Sequence, residues 1–113
     1  MFLKLNHQKL DIYNYSKILV LECYKLSKYL PDSEKFGMVS QIRRAALSVH
    51  LNIAEGASRK SETERKRFYE ISRSSIVEID AALDIANELG YLINYDTSNL
   101  GDAIIKCFKI LSG

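Results

Sequence analysis

The sequence predicts an all-α chain of one domain, residues 1–113, folded as an antiparallel up-down-up-down four-helix bundle. Three observations carry this expectation. Apolar residues recur at helical spacing in four segments, no segment shows the period-two alternation of a strand, and the one proline and most of the five glycines fall between the periodic segments rather than inside them. With 113 residues, 47% of them apolar, the chain can bury one sizeable core without disulfides or metal.

The first segment, Leu10 to Leu30, places apolar or aromatic residues at Tyr13, Ile18, Leu21, Tyr24 and Leu26. It stops before Pro31, whose ring bars the preceding residue from helical angles. The second begins near Phe36 to Met38 and runs through Ile42 and Ile53 towards Gly56. The third opens at Ser61, where SETE offers a capping box. Its expected core face is Phe68, Ile71, Ile79, Ala82, Leu83, Ala86 and Leu89, and Gly90 supplies a left-handed cap. Asp96 or Thr97 caps a last helix through Ile104, Cys107, Phe108 and Leu111.

The second helix is unusual. At about 100° per residue, Ile42, Ala46, Val49, Ile53 and Ala57 share one face, and Arg44, Ser48, Asn52, Glu55 and Arg59 line a neighbouring strip. Leu47 and Leu51 occupy a third sector. A helix with two apolar surfaces separated by polar ones suits packing inside its own subunit and against another, so Leu47 and Leu51 are expected at an oligomer interface. Ser48, Asn52 and Glu55 are expected to be structural polar groups, with Glu55 beside Arg44 and Asn52 in an ion pair that orients helices. Tyr13, Tyr15, Tyr24 and Tyr29 crowd helix one. Half-buried packing explains them more simply than stacking on nucleobases.

The net charge of +2 hides an uneven distribution. Between Arg43 and Arg73, the basic Arg43, Arg44, Arg59, Lys60, Arg65, Lys66, Arg67 and Arg73 face the four glutamates Glu55, Glu62, Glu64 and Glu70. From Ser74 to Ile105 there is no lysine or arginine, whereas Glu78, Asp80, Asp84, Glu88, Asp96 and Asp102 contribute six negative charges. Such polarity favours an anionic partner at the turn between helices two and three. If copies assembled with these turns around one rim, their fields would add into a ring able to hold phosphate backbones.

Other chemistries find little support. Cys23 and Cys107 lie in apolar-periodic segments and read as buried reduced thiols, which points to the cytoplasm. The amino terminus lacks a signal-peptide layout, and no stretch approaches the ~20 apolar residues of a membrane span. His7 and His50, the two histidines, have no ligand-spaced companions, and neither HExxH nor CxxC occurs. No glycine-rich phosphate loop is present, and helix three lacks the ExxH pattern of di-iron bundles. No catalytic residue, metal site or cofactor is therefore assigned.

Ser40 to Gly56, SQIRRAALSVHLNIAEG, is followed by Arg59-Lys60-Ser61, Phe68-Tyr69, Arg73-Ser74-Ser75 and the ELGYL of Glu88 to Leu92. Together these resemble the four-helix-bundle family of 23S rRNA intervening-sequence proteins, most strongly in helices two and three. The chain departs from the family pattern at His50-Leu51, where relatives commonly carry smaller or more polar residues, and its close after Leu111 implies a short last helix. Some members are encoded within inserts of ribosomal RNA genes. A related branch serves as the accessory protein of diversity-generating retroelements, in which a barrel-like homopentamer contacts nucleic acid and the reverse transcriptase. The resemblance thus implies assembly into a homo-oligomeric barrel, a pentamer, with the eight basic residues from Arg43 to Arg73 as candidate phosphate contacts and with Arg44, Asn52 and Glu55 better suited to structure.

Two readings of function remain at the level of sequence. One is a non-enzymatic oligomeric scaffold that binds RNA or DNA through the basic surface, with steep salt dependence. The other is a protein-interaction module that docks a partner such as a reverse transcriptase, its basic cluster only solubilising.

Overall fold

Buried residues recur three and four positions apart along each helix, the spacing that lets near-parallel helices interdigitate. In the computed structural model, which describes residues 1–113 apart from the side chain of Lys9, the first helix, α1, spans Asp11–Tyr29. Its buried positions are Ile12, Ser16, Leu19, Cys23, Leu26, Ser27 and, just past its end, Leu30. Helix α2 spans Met38–Ala57 and buries Val39, Ile42, Ala45, Ala46, Val49, Ile53 and Gly56. Helix α3, Glu62–Glu88, buries Ser72, Ser75, Ile76, Ile79 and Ala86. Helix α4, Ser98–Ser112, buries Leu100, Ala103 and Cys107. Short 3-10 turns at Asn6–Lys9 and Asp32–Glu34 precede α1 and α2. There is no strand among the described residues. Each helix packs on two others, α1 on α2 and α4, α3 on α2 and α4, so the fold is a four-helix bundle around one apolar axis.

Local signals set most boundaries. Leu30, ahead of Pro31, is extended at φ −65°, ψ 151°, and ends α1. Ser61 Oγ accepts from the amide of Glu64 at 3.4 Å, the forward half of the expected capping box. Gly90, at φ 79°, closes α3 in a Schellman arrangement, with Tyr91 N–H donating to Ala86 O and Gly90 N–H to Asn87 O, both at 3.0 Å. Of the two residues expected to cap α4, Thr97 holds the N-cap position without a side-chain bond, and Asp96 just before it supplies a carboxylate that accepts from Ser98 N at 3.0 Å and from Ser98 Oγ at 2.6 Å. These bonds hold the Asp96 carboxyl below the usual carboxylate range.

The core face of α3 differs from expectation, and that of α1 leaves two of its large aliphatic residues outside. On α1, Ile18 and Leu21 point outward at 47% and 62% exposure, and the inner ridge includes Ser16 instead. On α3, Ile71 and Leu89 are exposed and Ser72 and Ser75 are buried. The serines win because each finds a partner that removes the cost of burial. Ser16 Oγ donates to Tyr13 O at 2.9 Å, Ser72 Oγ donates across to Val49 O at 2.8 Å, and Ser75 Oγ meets Ser48 Oγ at 2.9 Å. An apolar residue on the wrong side of the ridge has no helix to cover it.

The two cysteines are free and fully buried, as their apolar-periodic positions imply. Burial pushes the Cys23 thiol up to about 12 and the Cys107 thiol up to about 11, so both stay protonated and unreactive. Gly56, expected near the end of α2, lies in its last turn, and a Cβ there would stand 2.9 Å from Phe68 Cβ and 3.0 Å from the Tyr69 ring.

The departure at His50 has a structural counterpart. Its Nδ1 lies 2.7 Å from Ser16 Oγ, and its ring packs on Tyr13 with centroids 4.6 Å apart; the His7 ring meets the same tyrosine edge-on at 5.5 Å. Burial, then the positive charge of Lys17 and the presence of His7, lower the His50 pKa below 6.5. The unfolded chain therefore takes up this proton more readily than the folded one. The stability that neutral His50 contributes is fully present above pH 6.5 and is lost as pH falls through the lowered folded value. Denaturant unfolding followed across mildly acidic pH is expected to show this loss in the native chain, and a shallower one in His50→Phe.

Candidate nucleic-acid interface

The turn joining α2 to α3 is built by its own cations. Arg65, one turn into α3, donates from Nη1 to the carbonyl oxygens of Arg59 at 2.9 Å and Lys60 at 3.1 Å, satisfying two backbone acceptors of the connecting turn beyond the end of α2. Arg59 pairs with Glu55 one turn back along α2, and its guanidinium lies 5.0 Å from the Phe68 ring centroid. Lys60, Lys66 and Arg67 are exposed and have no hydrogen-bond or ion-pair partner among the described residues. The tight entry into α3 depends on Gly56, which admits Phe68 and Tyr69 against α2. Five of the eight expected phosphate-binding cations are thus brought to one end of the bundle.

The other three lie elsewhere. Arg43 is fourteen residues before Ala57, about 21 Å along α2 at the helical rise. It is half-buried, donating from Nε to Ser27 Oγ at 2.7 Å and lying 4.9 Å from the Tyr24 ring. Arg44 is exposed on the outer face of the same turn. Arg73 joins α3 to α4, with Nε donating to Ser112 Oγ at 2.8 Å and its guanidinium 4.5 Å from Phe108. Sequence spacing did not separate cations that hold the fold from cations left to solvent, because the holding partners, Ser27, Tyr24, Phe108 and Ser112, belong to other helices.

The remaining positions on α2 divide similarly. Ser48 and Asn52 sit in the seam with α3: Asn52 Nδ2 donates to Ser48 O at 2.8 Å and to Ser48 Oγ at 3.2 Å, and Ser48 Oγ meets Ser75. The ion pair expected between Glu55 and Arg44 does not form. Eleven residues, about 16 Å of rise, separate the two on the helix, and Glu55 pairs with Arg59 instead. Leu47 and Leu51 face outward, 39% and 59% exposed. The tyrosines of α1 are engaged inside the subunit, Tyr13 with His50 and His7, Tyr24 under Arg43, Tyr29 with Tyr95 at 5.1 Å, and Tyr15 beneath Lys106 at 5.2 Å.

Among the described residues no group of three or more His, Cys, Asp or Glu side chains is placed to hold a metal ion, and no helix is long and apolar enough to cross a membrane. Fold and side-chain chemistry together define a class, a small all-helical bundle with a cation-rich interhelical turn. Residues 8–113 match the family of 23S rRNA-intervening sequence proteins, and the chain belongs to that family. Among individually curated proteins, none matches it.

Proposed function

We propose that this chain is a non-enzymatic, homo-oligomeric scaffold of the cytoplasm that binds nucleic acid, RNA or DNA, through the basic surface around the α2–α3 turn. The observation that carries the reading is the grouping of Lys60, Lys66 and Arg67 at one turn with no side-chain partner among the described residues, because cations left unpaired and hydrated can exchange their counterions for phosphates. The family's name, which refers to 23S rRNA, agrees with an RNA-related role. An antiparallel up-down-up-down course is supported by the pairs Ser16 with His50 and Ser27 with Arg43, whose numbers run in opposite directions. Arg73 with Ser112 and Gly56 beside Phe68 extend that pattern to α3 and α4.

Assembly is supported by the outward leucines of α2. Two large aliphatic side chains one turn apart on an outer face favour a partner surface, and the family resemblance favours a pentameric barrel with the basic turns on a shared rim. Light scattering run alongside a salt series of binding to a labelled structured RNA tests the reading. A multimer whose affinity falls steeply with salt supports it, and salt-indifferent binding overturns it. Leu47→Glu/Leu51→Glu is expected to reduce the particle to a monomer that keeps its helical content, since neither side chain enters the core.

Apolar residues exposed away from α2, such as Ile18 and Leu21 on α1, suit a second reading, in which the oligomer docks a protein such as a reverse transcriptase and does not itself touch nucleic acid. That reading expects no salt-sensitive retention of RNA or DNA by the protein alone.

A further inference from the structure

A second surface, on the opposite charge half of the bundle, has its own chemistry. Between α3 and α4 runs a groove lined by the apolar Leu83, Leu100 and Ile104, by Tyr95, and by the carboxylates Asp80 and Asp84. Both carboxylates are exposed, stand one turn apart, and have no cationic partner among the described residues. They belong to the stretch from Ser74 to Ile105 that contains six acidic residues and no lysine or arginine.

Gly101 lines this groove from inside α4. A glycine within a helix costs roughly 0.5–1 kcal/mol against alanine, and nothing within the subunit calls for one here. Gly90 is the one glycine with positive φ, and a Cβ at Gly101 would meet no atom within 4 Å. What a glycine leaves at this point is room for another backbone to come close to α4. Val77 and Ile105, each about half exposed, add apolar surface on the same two helices.

We propose that this groove docks a basic amphipathic helix of a partner protein. An inter-helix groove accepts a helix that lays anchors at i, i+4 and i+7 along an apolar floor. The unpaired Asp80 and Asp84 select lysine or arginine on its flanks and disfavour nucleic acid or an anionic membrane. The site is electrically separate from the basic turn. Asp80 lies fifteen residues along α3 from Arg65, about 22 Å at the helical rise, against a screening length of about 8 Å at physiological salt. Each subunit then presents a cationic end and an anionic groove, able to hold a polyanion and a cationic protein at once.

The test uses the full chain and a labelled amphipathic Lys/Leu peptide of about 15 residues, with a Glu/Leu peptide of the same apolar pattern as its counterpart. Binding is read by fluorescence anisotropy, and the docking surface by amide chemical shifts. The Lys/Leu peptide is expected to bind with shifts centred on Asp80, Asp84 and Gly101, and the Glu/Leu peptide to bind at least about tenfold more weakly. Asp80→Asn/Asp84→Asn should weaken binding about tenfold, and Gly101→Leu, which fills the groove, should abolish it. If Gly101→Leu fails to fold, the exposed Asp pair decides the matter. Equal binding of both peptides, shifts mapping away from α3 and α4, or insensitivity to the Asp pair overturns the proposal. So does loss of the multimer in Gly101→Leu, which would assign the groove to a second copy of the chain. Substitutions at Lys60, Lys66 and Arg67 should leave peptide binding unchanged, so failure here is distinguishable from failure of the nucleic-acid reading.

Discussion

Replacing Lys60, Lys66 and Arg67 together by glutamine is expected to remove most nucleic-acid binding while leaving the melting temperature nearly unchanged. All three side chains are exposed and hold nothing in the fold, and surface substitutions away from structural features usually change stability by no more than about 0.5 kcal/mol. Each cation withdrawn from a phosphate should lower the slope of log affinity against log salt by about one, so the triple variant should show a slope smaller by about three per subunit. Arg65→Gln should behave differently. It strips the carbonyls of Arg59 and Lys60 of their shared donor, so it should destabilise the turn, and any fall in binding would be accompanied by a lower melting temperature. Measuring binding and thermal unfolding on both variants separates a cation that meets phosphate from one that shapes the surface. A triple variant that binds as well as the native chain would move the interface away from this turn.

The second large effect concerns stability. Gly56→Ala should destabilise the bundle by about 1–3 kcal/mol, the usual cost of overpacking a well-filled site, because its new Cβ would press against Phe68 Cβ and the Tyr69 ring. Phe68 Cβ is bonded directly to the α3 backbone and can move only if that helix moves. The same substitution at Gly101, where a Cβ meets nothing within 4 Å, should stabilise by roughly 0.5–1 kcal/mol through helix propensity alone. Thermal unfolding followed by helical circular dichroism reads both signs. Equal shifts at the two glycines would mean that α3 does not approach α2 closely at Gly56.

The candidate site was legible in outline. Arg59, Lys60, Arg65, Lys66 and Arg67 lie within a few residues of a helix junction, so any fold with that junction gathers them. Arg43 and Arg73 entered the same set by proximity in sequence, but they are more than a dozen and about a dozen residues from the turn and are held by Ser27 and Tyr24 in one case and by Phe108 and Ser112 in the other. No spacing rule reports such partners, because they arrive from helices elsewhere in the chain. The Gly101 groove was equally silent in sequence, since it exists only where α3 and α4 lie side by side.

What the sequence by itself determined is the number of helices, their ends and their caps. Pro31, the Ser61 hydroxyl, Gly90 and the Asp96 carboxylate act on backbone groups within a few residues, through sterics and hydrogen bonds that need no distant partner. It also determined the inner face of α2, where one row of aliphatic residues is the sole continuous choice. Only the tertiary structure decided the faces of α1 and α3, burying Ser16, Ser72 and Ser75 and exposing Ile18, Leu21, Ile71 and Leu89. The reason is that burial is a property of what covers a residue. A serine becomes a core residue when a carbonyl or hydroxyl from the next turn or the next helix stands opposite it, and an isoleucine stays at the surface when no neighbour does.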